Sequence, residues 1–181
     1  MKLLRTIALD LSDTFVFDPA AEPGEWAVSG AFRFWGGDPA TLQGKERSAF
    51  RSGFLGLQSW GWSTLAQIVE ATESDRDAAI ELLARRLVDR LGAPDLATAR
   101  RAAEEEVAFA ESLCTAPTDT LIAVYRTIEE GEVREAFRTL RPRGGPTQLR
   151  AFSFLEAGDE DEEQPADGID LVKIVAGRET K

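Results

Sequence analysis

Two apolar stripes at helical spacing follow one another in the middle of this chain, and strand-like segments lie on either side of the pair. Ile80, Leu83, Ala84, Leu87, Val88 and Leu91 define the first stripe. Leu96, Ala99, Ala103, Val107, Ala110 and Cys114, repeating at steps of three and four, define the second. Thr72 or Ser74 can cap the first helix, Gly92 follows its end, and Pro94 stands where the second can begin. Strands grouped away from helices favour an α+β fold, a mostly antiparallel sheet with two consecutive helices packed on one face, over a doubly wound parallel sheet.

Before the helices, Leu3, Arg5, Ile7 and Leu9 alternate with Leu4, Thr6 and Ala8, the period-two pattern of a strand. A turn is expected at Ser12-Asp13, a second strand from Thr14 to Phe17, and a third from Trp26 and Val28 on to Phe32 through Trp35. Connections this short cannot hold a crossover helix, so these strands read as antiparallel. From Gly36 to Trp62, glycines at 44, 53, 56 and 61 break any long period, and an ordered irregular segment is expected. Ser63 to Glu70 reads as a strand leading into the first helix. After the helices, Leu121 to Ile128 and Val133 to Leu140 flank Glu129-Glu130-Gly131 as a hairpin. Leu149 to Leu155 and Ile169 to Val175 read as two further strands.

A length of 181 residues, 43% of them hydrophobic, suits one domain over residues 1–181 with a real core. The formal charge is −11, from 21 basic and 32 acidic residues. Seven carboxylates (Glu156, Asp159, Glu160, Asp161, Glu162, Glu163 and Asp167) fall in residues 156–168, read as a flexible acidic loop between the last two strands. Without them the balance is 21 basic to 25 acidic, or −4, which argues against nucleic acid or an anionic membrane as partner. Met1-Lys2-Leu3-Leu4-Arg5 has the basic start of a signal peptide, but Arg5 and Asp10 interrupt any apolar run. A cytoplasmic location is expected, and Cys114, the single cysteine, reads as a buried small hydrophobe.

The chain contains no histidine, which removes the usual proton shuttle near neutral pH and the commonest metal ligand. Ser-His-Asp and Cys-His sites cannot be built, and neither a P-loop nor a Gly-x-Gly-x-x-Gly fingerprint is present. Glu104-Glu105-Glu106 reads as a solvated helix face. No cofactor is expected.

One short stretch does carry a chemical motif. Ile7-Ala8-Leu9-Asp10-Leu11-Ser12-Asp13-Thr14 resembles the first motif of haloacid-dehalogenase-type phosphatases, in which a strand-end aspartate attacks phosphorus and a second aspartate two residues later acts as acid/base. Asp10 and Thr14 match, whereas Ser12 replaces the acid/base and Asp13 the usual glycine. The resemblance implies a magnesium-dependent carboxylate hydrolase using Asp10 as the alternative function. An Asp- and Ser-rich turn explains the same residues through side-chain bonds to nearby backbone amides.

Two segments read as binding surfaces. Gly53 to Trp62 denies itself a regular framework while carrying Phe54, Trp60 and Trp62, aromatics of the kind that anchor interfaces; the competing reading folds both indoles into the core. The second is arginine-dense: Arg134, Arg138, Arg141, Arg143 and Arg150 face only Glu135. Arg134 and Arg138 are four apart on a strand and share a face, so they could grip a carboxylate, a phosphate or an acidic partner. The competing reading pairs them with the acidic loop downstream.

Taken whole, from Met1-Lys2-Leu3-Leu4-Arg5-Thr6-Ile7 through Phe50-Arg51-Ser52-Gly53-Phe54-Leu55-Gly56 to Arg134-Glu135-Ala136-Phe137-Arg138-Thr139-Leu140-Arg141-Pro142, the chain resembles a small alphaproteobacterial family known only as a domain of unknown function. The resemblance brings no catalytic residue. Its association with genes for a biotin/lipoate-ligase-like protein and for redox-enzyme maturation implies an accessory role. The expectation is a non-catalytic accessory or protein-interaction module that binds another protein through Phe54, Trp60, Trp62, Arg134, Arg138 and Arg141. A homodimer formed through the irregular segment is the third reading.

Overall fold

The computed structural model describes residues 1–129, 131–141 and 153–155. In chain order the elements are β1 (Lys2–Ile7), α1 (Ser12–Val16), β2 (Trp26–Val28), α2 (Gly44–Ser52), β3 (Phe54–Gly56), β4 (Trp62–Ser63), β5 (Leu65–Glu70), α3 (Glu73–Leu91), α4 (Leu96–Ser112), β6 (Leu121–Glu129), β7 (Glu132–Arg141) and β8 (Ser153–Leu155). Short 3-10 turns occupy Ala31–Phe34 and Pro39–Thr41. The eight strands form one sheet in the order β4-β3-β2-β1-β5-β6-β7-β8, and every neighbouring pair is antiparallel. The molecule is therefore α+β, as its element order implies.

The alternation in β1 sets the inner face. Leu4 pairs with Ile68 and Thr6 with Ala66, and Ala66 in turn pairs with Ile122, so one row of side chains runs across three strands. All five are buried, and α4 lies against β1 and β2. Phe137 of β7 has its ring 5.7 Å from Phe109 of α4 and 6.2 Å from Phe54 of β3. β3 and β7 are five strands apart in the order. In a flat sheet that separation would be about 24 Å at ~4.8 Å per strand, so the contact requires the sheet to curl strongly.

The helical pair forms as its stripes dictate. The Thr72 hydroxyl accepts from the Asp75 amide at 3.1 Å and the Asp75 carboxylate accepts from the Thr72 amide at 2.9 Å, a reciprocal capping box. Gly92 closes α3 in the left-handed conformation with φ +70°. Asp95 caps α4 by accepting from the Thr98 amide at 2.7 Å. Ala79, Ile80, Leu83, Ala84 and Leu87 of α3 and Ala99, Ala103, Val107 and Ala110 of α4 are the buried residues of the pair. Cys114 is buried just beyond, where burial pushes its thiol up to about 11.

Three local expectations are corrected. Thr14 to Phe17 is not a strand but most of α1: the Asp10 carboxylate accepts from the Ser12 amide at 2.7 Å, and the Phe17 amide closes the turn on the Asp13 carbonyl at 2.9 Å. Phe32 to Trp35 does not continue β2. Gly30, at φ +79°, turns the chain into the first 3-10 turn, and a Cβ there would stand 2.6 Å from that of Leu55. The segment from Gly36 to Trp62 is mostly regular, holding the second 3-10 turn, α2 and β3. Of the expected strand from Leu149, β8 accounts for residues 153–155. The strand expected at Ile169 to Val175 and the acidic loop at 156–168 lie outside the described residues.

Candidate functional site

The tryptophan loop is core. Trp60 and Trp62 are 5% and 4% exposed and Phe54 is fully buried, so these three aromatics present no surface to a partner. The arrangement that buries them centres on Glu25. One oxygen of its carboxylate accepts from the amides of Gln58 and Ser59, each at 2.7 Å, and the other accepts from the Glu22 amide at 2.8 Å. The loop is thus tied to the turn before β2, and Trp60 is held at φ +63°. Arg33 covers both indoles, its guanidinium 5.5 Å from the Trp60 ring and 5.3 Å from that of Trp62. Burial, with Arg90 adding to it, lowers the Arg33 pKa, and Glu46 opposes the shift.

The arginine hairpin stands as its alternation implies. Tyr125 pairs with Ala136, so Tyr125, Arg134 and Arg138 share the outer face of β6 and β7. Arg134 is exposed and approaches Glu132 at 3.7 Å and Glu129 at 4.0 Å, pairs worth little at a surface. Arg141 ends β7, and its side chain, with Arg143 and Arg150, lies outside the described residues. Sequence reading missed the arginines that α2 adds to this region. Arg51 donates to the Tyr125 hydroxyl at 2.6 Å with its guanidinium 5.2 Å from the ring centre, and Arg47 lies one helical turn before it.

Behind that face is a buried clamp. Arg126, on the inner face of β6 and 1% exposed, donates to the carbonyls of Phe50 and Gly53 at 2.9 Å, to the Ser29 carbonyl at 2.5 Å and to the Glu135 carboxylate at 2.7 Å. Ser29 completes the network by donating to Glu135 at 2.5 Å. Burial lowers the Arg126 pKa and Glu135 opposes that shift. Glu106 of α4 faces the same network. Burial first, and then the Glu135 charge, push its carboxyl up to about 7, against the pull of Arg126. The sequence signal for the clamp is a lone arginine in the inward row Ile122, Val124, Arg126, Ile128.

The exposed apolar surface lies elsewhere. α1 buries none of its residues, and Leu11 and Phe15 are 73% and 77% exposed. Trp35 is 71% exposed and lines one of two adjoining clefts. One cleft, of about 430 Å³, is lined by Trp35, Arg33, Lys45 and Asp18; the other, of about 480 Å³, by Asp10, Asp13, Glu22, Asp18 and Lys45. The shared Asp18 and Lys45 make them one concave region with α1 as its wall. Asp10 is fully exposed, and its bonds to Ser12 lower its pKa. Asp13 accepts from the Thr64 amide at 3.2 Å and from its hydroxyl at 2.6 Å. Asp10 thus shapes the turn between β1 and α1, Asp13 ties α1 to Thr64 between β4 and β5, and both strands beside β1 run antiparallel to it. No group of three metal-binding side chains converges among the described residues.

An α+β domain whose strongly curled antiparallel sheet carries an aromatic and arginine surface is the class these features define. The chain belongs to a family described as a Family of unknown function (DUF6505), whose model matches residues 1–157. Comparison with curated proteins and with solved structures gave no match.

Proposed function

We propose that this domain is a cytoplasmic, non-catalytic interaction module that docks another protein on the concave region bordered by α1 and Trp35. One observation carries the reading: a helix that buries nothing holds Leu11 and Phe15 in solvent, Leu11 lines one of the two joined clefts, and the exposed Trp35 lines the other. Exposed apolar side chains beside a concavity, an aromatic among them, are the usual anchors of an interface. The rim supplies specificity, since Asp10, Asp13, Asp18 and Glu22 outnumber Lys45 and fit an apolar segment flanked by basic residues. The accessory role implied by the sequence resemblance suits a domain of this kind. No helix among the described residues is long and apolar enough to cross a membrane.

The test is quantitative capture from the native host with wild type and with Phe15→Ser/Trp35→Ser as bait. A partner retained by wild type and lost by the doubly substituted domain, at unchanged melting temperature, supports the reading. An identical captured set from both baits overturns it. Light scattering of the two proteins decides whether the partner is a second copy of this chain.

A further inference from the structure

We propose that the cleft between α2 and β6 is a separate anion-binding site for a phosphate-bearing small molecule. Its volume is about 420 Å³, within the range of small-ligand sites. Arg47, Arg51 and Arg126 line it together with Phe50, Tyr125 and Thr127. Acidic residues outnumber basic ones 32 to 21 in this chain, yet no carboxylate stands in the lining. Arg47 and Arg51 are four apart on one helix face, a like-charge spacing that disfavours a free helix. That repulsion turns into attraction when a dianion lies between them.

The two guanidinium groups are unequally prepared. Arg51 is fixed by its 2.6 Å bond to the Tyr125 hydroxyl and its position over the ring, so its remaining donors are held in place. Arg47 is exposed and its side chain makes no hydrogen bond or ion pair among the described residues, so its whole fork is open to a ligand. Arg126 is spent on backbone carbonyls and on Glu135, whose carboxylate offsets its charge, so the site rests on Arg47 and Arg51. Phosphate suits two forked donors better than a single carboxylate, because its three oxygens can accept from both. The Phe50 and Tyr125 rings supply apolar wall for a planar group attached to the phosphate.

The experiment is calorimetric titration of the whole chain with inorganic phosphate and with phenyl phosphate at low ionic strength. Saturable binding is expected, tighter for phenyl phosphate and weakened by added salt. Arg47→Gln should lower affinity by about tenfold with an unchanged melting temperature, since its side chain has no partner to lose. Arg101→Gln, on α4 and outside the cleft lining, should change it less than about twofold. Absence of saturable binding by wild type overturns the site. So does an Arg47→Gln protein that binds as wild type does, and an equal loss in Arg101→Gln would show diffuse attraction in place of a site. None of these outcomes depends on α1 or Trp35.

Discussion

A residue type does not decide its own exposure, and Trp60 is the case in point. Its indole is buried because Glu25, far off in sequence, gathers the amides of Gln58 and Ser59, and because Arg33 covers the ring. None of those partners leaves a local signature, so the glycine-broken stretch around Trp60 and Trp62 is compatible in sequence with an interface loop. Gly61 shows how closely the loop is drawn in: a Cβ there would stand 2.5 Å from the Ala20 carbonyl. Trp60→Ala is therefore expected to lower stability by about 3–5 kcal/mol in denaturant titration, as removal of a large buried side chain does. Partner capture, compared at a temperature where the variant is folded, should be unaffected.

Elements with long periodic stripes were legible, and those without were not. α3 and α4 each carry a stripe several turns long with caps at their starts, and β1, β5 and the β6–β7 hairpin alternate cleanly, so their places follow from spacing alone. α2 buries only Ala49 and Phe50, too few positions to show a period. α1 is shorter still, and the aromatic and β-branched residues of Thr14 to Phe17 look like strand until the bonds of Asp10 and Asp13 are seen. The two kinds of helix should also respond differently to substitution. Thr72→Ala breaks the capping box of α3 and should cost about 1 kcal/mol by thermal or denaturant unfolding. Phe15→Ser on α1 should stay within about 0.5 kcal/mol of wild type in the same measurement, since nothing packs on that ring.

At the scale of the whole molecule, Arg126 joins what the sequence keeps apart. It fastens the β6–β7 hairpin to the end of α2, to the start of β3 and to Ser29, which helps hold the sheet in its curl. Glu106, facing Arg126 and Glu135 from α4 beside Glu105, makes this junction sensitive to pH. Its folded pKa of about 7 lies above the ordinary carboxylate value of 4.5, so the folded state binds the proton more tightly than the unfolded chain does. The resulting stabilisation is full below the unfolded value and fades as pH rises through about 7. Glu106→Gln, which stays neutral, should therefore match wild type near pH 4 and exceed it by on the order of 1–3 kcal/mol at pH 8, read from denaturant midpoints.

The last strand on one side of the sheet, β4, has its outward groups already taken. The Trp62 amide donates to the Pro19 carbonyl at 3.0 Å, and the Trp62 carbonyl accepts from the Ala21 amide at 2.8 Å. A visiting polypeptide therefore finds no open ladder there on which to lengthen the sheet. Along that border, recognition must be written in side chains, and fibre-like stacking of one molecule on the next is blocked at its first rung.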